Sequence, residues 1–382
     1  MKILHIIGGL AKAAGTSVFC AELSNELVAR GHEVTIAVCN PDDGDLYSLD
    51  SRVRLASIDA VVQSASSSDF DLVHIHALWS PVLHNVAKWA HNKNIPVVWS
   101  PHGMLQKWAL KNKWWKKLAG LALYQWRDLH SATLLHATAQ SEVEDIRRLG
   151  LKNKVVVAPL GVRLPVSANR TIEQPEQSNN RKTLLFVSRV QKKKGLPNLI
   201  DAWSRLPEDL RKDWQIRIVG PDQDNHTAEL KVQCDRLGIG WHDCLAQSSN
   251  RTIEQSNIVF VGPKYDDGLS AEYDNADLFV LPTHSENFGS VVIEALAHCV
   301  PVITTKQAPW AELEEFKCGW WIDDTADALT AALRVAIEQS NNPNNRTILY
   351  EMGRRGRKFV DDRYTWSAVC DKIIEGYQNE AV

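Results

Sequence analysis

Ser285-Glu-Asn-Phe-Gly-Ser-Val-Val-Ile-Glu294-Ala-Leu-Ala-His-Cys-Val-Pro-Val302 follows a strand-like run, Asp277-Leu-Phe-Val-Leu-Pro282. Two carboxylates, Glu286 and Glu294, flank a Phe-Gly pair. An apolar pattern of helical period (Val291, Val292, Leu296) continues from it. Strand, glycine-bearing turn and helix is the geometry that turns unbonded backbone N–H groups and a positive dipole end toward an anion. Glu286 falls in the loop and Glu294 inside the helix, so the two carboxylates can hold different parts of one elongated ligand.

Working outward, short β-branched runs alternate with helical patterns through the chain, which implies parallel sheets covered by helices. Strands are expected at Lys2–Ile7, Glu33–Val38, Leu72–His76, Pro96–Ser100, Thr133–Ala137 and Val155–Ala158. In the second half they are expected at Thr183–Ser188, Gln215–Val219, Asn257–Val261, Leu278–Leu281, Val300–Thr304 and Gly319–Ile322. Two runs of about six strands predict two Rossmann-like α/β domains, at 1–162 and 183–365. The polar stretch 163–182 reads as their linker.

A second cluster, Leu184-Leu-Phe-Val-Ser-Arg189-Val-Gln-Lys-Lys-Lys194-Gly195, is a strand ending in a basic loop. Arginine suits bidentate contact with a phosphate and lysine acts as a point charge. Arg189 and Lys194 are therefore the diphosphate candidates, with Lys192 and Lys193 read as solvated. In the first half, Gly8-Gly9 and Ala14-Gly15-Thr16 lie between a strand and a helix. They suggest a nucleotide loop without the Gly-x-Gly-x-x-Gly spacing. Pro101-His102-Gly103 follows the strand 96–100, where α/β proteins bind ligands. His74 and His76 share a strand face, and a metal site needs more ligands than two.

The Glu286–Glu294 stretch resembles the Glu-x7-Glu signature of retaining glycosyltransferases of family 4, which have the GT-B fold. The Arg189–Gly195 loop is similar to that family's Gly-Arg-…-Lys-Gly motif, with Ser188 in place of the glycine. The resemblance implies two Rossmann-like domains facing across a cleft, with a final helix at about 366–382 crossing back to the first. It implies that Glu286 contacts the donor sugar and Glu294 the ribose. Asn287, Phe288, Gly289 and Ser290 would meet the sugar and diphosphate, which Arg189 and Lys194 neutralise. Gly262, at the end of a strand similar to the family's base-binding strand, joins the donor set. So do Gly15 and Thr16, although Ala14 departs from the usual Gly-Gly. His102 stands where the family places a histidine near the reacting sugar. The implied reaction moves a sugar from a nucleotide-sugar to a saccharide or lipid-linked acceptor, without metal or other cofactor. A GT-B nucleotide-sugar epimerase and a non-catalytic relative are the alternatives.

Charge, cysteines and targeting narrow the setting. The 382 residues carry a formal net charge of −3, which gives no bulk affinity for nucleic acid. Seven scattered cysteines without Cys-x-x-Cys suggest reduced thiols and a cytoplasmic protein. Met1–Ile7 reads as a first strand, not a signal peptide. The stretch 106–127 has no acid but holds Lys107, Lys111, Lys113, Lys116, Lys117 and Arg127 among Trp108, Trp114, Trp115 and Trp126. Leu105, Trp108, Trp115, Leu118, Ala122 and Trp126 would share one helical face, and a basic, Trp-rich helix suits an anionic membrane surface. Asn-Arg-Thr-Ile recurs at Asn169, Asn250 and Asn345, read as short insertions in tolerant surface loops.

Overall fold

The structure is a computed structural model. It describes residues 1–11, 15–41, 47–111, 114–165, 181–252, 255–341 and 347–380. The chain divides into two compact units, Met1–Gly161 with Trp366–Val382, and Val162–Thr365. Most of the linker reading, together with the Asn169 and Asn345 repeats, Ala14 and Lys113, lies outside the described residues.

The first unit holds a seven-stranded parallel sheet. Its strands are β1 (Lys2–Ile6), β2 (Glu33–Val38), β3 (Arg54–Ser57), β4 (Leu72–His76), β5 (Val97–Ser100), β6 (Leu134–Ala137) and β7 (Lys154–Val157), in spatial order β3-β2-β1-β4-β5-β6-β7. Alternating side chains serve opposite faces. Ile3 and Ile7 join Phe19, Leu23 and Leu27 of the helix Gly15–Ala29 on one face. Leu4, Ile6 and Ile75 join Leu83 and Trp99 on the other. Burial on both faces is what makes these strands apolar runs. The last helix, Trp366–Glu380, belongs to this unit and contributes Val369, Ile373 and Tyr377 to the first core. Its Trp366 ring lies so close to Gly161 that a Cβ there would sit 2.4 Å from it.

The second unit holds β8 (Lys182–Val187), β9 (Trp214–Val219), β10 (Trp241–Asp243), β11 (Ser248–Ser249), β12 (Ile258–Gly262), β13 (Leu278–Leu281), β14 (Val302–Thr305) and β15 (Gly319–Ile322). Their order is β11-β10-β12-β9-β8-β13-β14-β15, parallel except for the β10–β11 pair. Three strands were not expected from sequence. β3 pairs only with β2 and is half-exposed, and β10 and β11 are very short, so none carries a long apolar run.

One sequence expectation is corrected. Among its described residues the basic stretch is not one regular α-helix. It forms helices Lys107–Lys111 and Trp114–Gly120, a π-turn at Leu121–Gln125 and a helix Trp126–Ser131. Leu105 precedes them and is buried, so it shares no face with Trp115, Leu118, Ala122 and Trp126, which are all exposed. In the second Asn-Arg-Thr-Ile repeat, Asn250, Arg251 and Thr252 are exposed. Asn250 accepts from the Trp241 amide and donates to Asp235 and to the Ile239 carbonyl, which ties it to the sheet edge.

Candidate active site

Glu286 and Lys194 sit at the carboxyl ends of neighbouring strands, β13 and β8. They form a direct ion pair in which both side chains are largely buried. The two loops are also stitched by backbone. The His284 amide and the Thr283 hydroxyl both donate to the Lys193 carbonyl, at 2.9 and 3.2 Å. Gly195 makes this approach possible. It has φ +71°, and a Cβ there would lie 1.8 Å from the Pro282 carbonyl oxygen. Lys192 is exposed and pairs with Glu229 at 3.0 Å. Lys193, in contrast to the solvated reading, is half-buried, and that burial lowers its ammonium below the usual lysine range despite nearby Glu286. Arg189 is exposed, with a 3.5 Å contact to Gln223.

The turn after Glu286 leads to the helix Ser290–Ala297, whose N-cap is Gly289 at φ +76°. Among the described residues no side chain caps this helix, so its first-turn amides keep their dipole end uncompensated. Phe288 is packed against Trp310 and Tyr364, and its carbonyl accepts from the Trp310 indole N–H. Trp310 thereby fixes the turn that Asn287 and Gly289 bracket. One turn into the helix, Glu294 accepts from the Tyr273 hydroxyl at 2.8 Å. Burial raises its carboxyl above the usual range, against hydrogen bonds from Tyr273 and Ser290. Nearby, a cavity of about 240 Å³ opens at the ends of β9 and β12. Gly220, Gly262, Val190, Phe260, Leu245 and Lys231 are among its walls.

In the first unit, Gly15 starts its helix with open space around it and Thr16 is half-buried. His102 has φ +50°, and the next amide, of Gly103, donates to the buried Glu142. The His102 ring turns into a cluster that sequence reading did not foresee, made of His5, His74, His76, His102 and His136 with Ser100 and Tyr377. His136 Nε2 meets the Ala158 carbonyl at 2.7 Å, so it donates, and Nδ1 must accept. Ser100 therefore donates to His136, His74 Nε2 donates to Ser100, and the Tyr377 hydroxyl donates to His74 Nδ1. A second chain runs from His102 Nε2 to His76 Nδ1 at 3.1 Å, and from His76 Nε2 to His5 Nδ1 at 2.9 Å. His5 supplies the third nitrogen that a metal reading of His74 and His76 lacked. Both nitrogens of His74 and of His76 are nevertheless taken up by these hydrogen bonds. Burial lowers every one of these imidazoles, His5 and His102 to about 3 and His136 to about 4.

Known proteins place the chain. Residues 13–164 match the family described as Glycosyltransferase Family 4, and residues 168–355 match Glycosyl transferases group 1. The chain belongs to glycosyltransferase family 4. This family-4 enzyme is a retaining glycosyltransferase that takes its sugar from a nucleotide-sugar donor. It is 25% identical to a D-inositol 3-phosphate glycosyltransferase of Corynebacterium diphtheriae, over 98% of this chain and 92% of that one. Its fold is that of the HepE protein of Anabaena solved in complex with UDP, at TM-score 0.72 and 17% identity over 99% of this chain and 100% of that one. It is also that of WaaG, a glycosyltransferase involved in lipopolysaccharide biosynthesis, at TM-score 0.69 and 16% identity, with 98% of each chain covered. Both likenesses are to GT-B structures, as the motifs implied.

For the family-4 enzyme the structure brings Arg189, Lys194, Glu286 to Ser290 and Glu294 to one end of the second sheet. Glu142, Trp310 and the buried His5 and His136 were missed as supports, and Tyr273 was noted only as the start of a segment similar to the family's base-binding loop. Tyr273 and Glu294 are 21 residues apart and Glu142 and Gly103 are 39 apart. No local spacing signals such pairs. The one available hint was the two-residue spacing of His74 and His76.

Proposed function

We propose that the second unit binds the donor and the first unit serves the acceptor. Arg189 and Lys194 take the diphosphate, Glu286 the sugar, Glu294 the ribose, and the amides of Asn287 to Ser290 the oxygens between them. The cavity beside Gly262 takes the base. The Lys194–Glu286 ion pair carries this reading. It joins the two motifs at an uncapped helix start, so a cation, a carboxylate and oriented amides converge within unit 2. His102, Gly15 and Thr16 complete the reading on the first unit. Retention follows from front-face substitution, in which the departing phosphate takes the acceptor's proton. Positioning and charge then supply most of the rate.

The test is thermal unfolding with UDP-, GDP- and ADP-sugars. A donor at about 100 times its Kd should stabilise the protein by about 2.7 kcal/mol. Arg189→Ala should weaken that donor, whereas an unchanged shift in the variant removes Arg189 from the diphosphate. Stabilisation by none of the three would overturn the donor assignment.

The acceptor in this reading is a lipid-linked saccharide of cell-surface glycan assembly, met by an enzyme resting on the inner face of the membrane. Among the described residues no helix is long and apolar enough to cross a membrane. Support comes from the exposed Trp114, Trp115, Leu118 and Leu123, the last 79% exposed, beside the exposed Lys111, Lys116 and Arg127. Each basic residue near an anionic surface contributes about 1 kcal/mol, and tryptophan rings favour the headgroup region. Flotation with anionic liposomes should recover the wild type at low salt and lose it at high salt. Replacing Lys111, Lys116 and Arg127 by glutamate should abolish binding and leave donor hydrolysis intact. Lys117 is kept because its ammonium donates to the Ala109 carbonyl. A wild type that stays with the unbound fraction at low salt ends the membrane reading.

A further inference from the structure

The chain His102–His76–His5 admits two proton arrangements, because each neutral imidazole carries one N–H. In the first, His102 Nε2–H donates to His76, His76 Nε2–H donates to His5, and the remaining proton sits on His5 Nε2. That atom is buried and has no hydrogen-bond partner among the described residues. In the second, every bond reverses. His5 Nδ1–H donates to His76 Nε2, and His76 Nδ1–H donates to His102 Nε2. His5 Nε2 is then a bare lone pair, and the last proton sits on His102 Nδ1. Orphaned buried N–H groups are rarer than under-satisfied acceptors. The second arrangement is therefore favoured by what lies at the far, buried end of the chain.

We propose that His5 and His76 are positioning residues that set the tautomer of His102, so that its Nδ1–H stands as a fixed hydrogen-bond donor to a hydroxyl oxygen of the acceptor sugar that the first unit serves. The proposal rests on the reading under Proposed function, in which the first unit serves the acceptor and His102 belongs to its site. His102 is then a donor throughout turnover and takes no proton. The other groups around it agree. His74 and His136 are neutral and spent on Tyr377, Ser100 and Ala158. Phe19 covers its edge, and Glu142 is engaged by the Gly103 and Thr138 amides. Desolvation lowers the His102 imidazole to about 3, so it is neutral near pH 7.

Nitrogen-15 NMR of the histidine rings in the full chain reads the tautomer directly. Protonated Nδ1 on His5, His76 and His102 is expected. Protonated Nε2 on His102 overturns the proposal, and so does a stoichiometric metal found on the purified protein and bound through His5, His74 and His76. Kinetics give the second readout. His5→Leu should lower kcat on the order of 10-fold, as loss of an orienting partner does, with donor KM unchanged. His5→Asn, which keeps a donor at the Nδ1 position, should restore it. Unchanged kcat in His5→Leu also overturns the proposal. If that variant does not fold, the wild-type spectrum decides. A fully active His102→Ala would instead remove His102 from the active site, whichever tautomer the spectrum reports.

Discussion

Glu286→Ala is expected to lower kcat by about 100-fold or more, the order seen when one strong transition-state contact is lost. The reason lies in the ion pair. Glu286 holds the largely buried Lys194 ammonium as well as facing the turn at Asn287. Removing it costs the sugar contact and also releases the cation assigned to the diphosphate. Initial rates with a nucleotide-sugar donor, combined with calorimetric binding of the nucleotide, check this. The rate should fall far more than nucleotide affinity changes, because a nucleotide without its sugar does not need the carboxylate. Glu286→Gln should lie nearer to alanine than to wild type, since it keeps the shape but not the charge. Normal turnover in both variants would remove Glu286 from the chemistry.

The first unit should be unusually sensitive to acid. Five imidazoles of the cluster are held below the ordinary histidine value by burial, His5 and His102 to about 3 and His136 to about 4. In the unfolded chain they titrate near 6.5. Between those limits the unfolded state binds more protons, so stability rises with pH. It is fully present above the unfolded value and is lost as pH falls from there toward the folded values. Each histidine contributes a slope of up to about 1.4 kcal/mol per pH unit, and five together up to about 7 kcal/mol per unit. Ordinary domain stability is about 5–15 kcal/mol, so one or two units of acidification suffice. Glu142 and Asp128 act in the opposite sense, because burial raises their carboxyls and favours the protonated folded form, but they are two groups against five. Urea unfolding followed by tryptophan fluorescence at pH 7.5, 6 and 5 should show this slope for the first unit. Stability that stays flat over that range would mean that the cluster is hydrated or charged in the native state.

Both predictions start from residues that differ in how far sequence exposes them. Glu286, Glu294, Arg189 and Lys194 were readable because each lies in a short contiguous motif at the end of a strand. The strand ends themselves are readable from β-branched runs. β2, β4, β13 and β15 fall where the pattern puts them. In the basic stretch at 106–127, composition reports charge and aromatic content but not the type of helical turn. Only the chain path shows the π-turn at Leu121–Gln125. Trp310, which holds the turn at Phe288, was invisible for a different reason. It comes from another segment, and nothing in its own neighbourhood marks it.

The sequence by itself determined two α/β units, a family-4 glycosyltransferase and the two motifs that carry Lys194 and Glu286. These properties rest on local periodicity and contiguous spacing, which a chain carries before it folds. Tertiary structure alone decided the pairing of Lys194 with Glu286 and the histidine cluster. His5 lies opposite His74 across the β1–β4 ladder, and His76 lies opposite Ser100 across the β4–β5 ladder. His5 and His76 are 71 residues apart, and His74 and Tyr377 are 303 apart. Strand register, and the return of the last helix onto the first core, bring those rings together. Register is a property of the whole sheet, set by which faces must be buried, and no single strand encodes it.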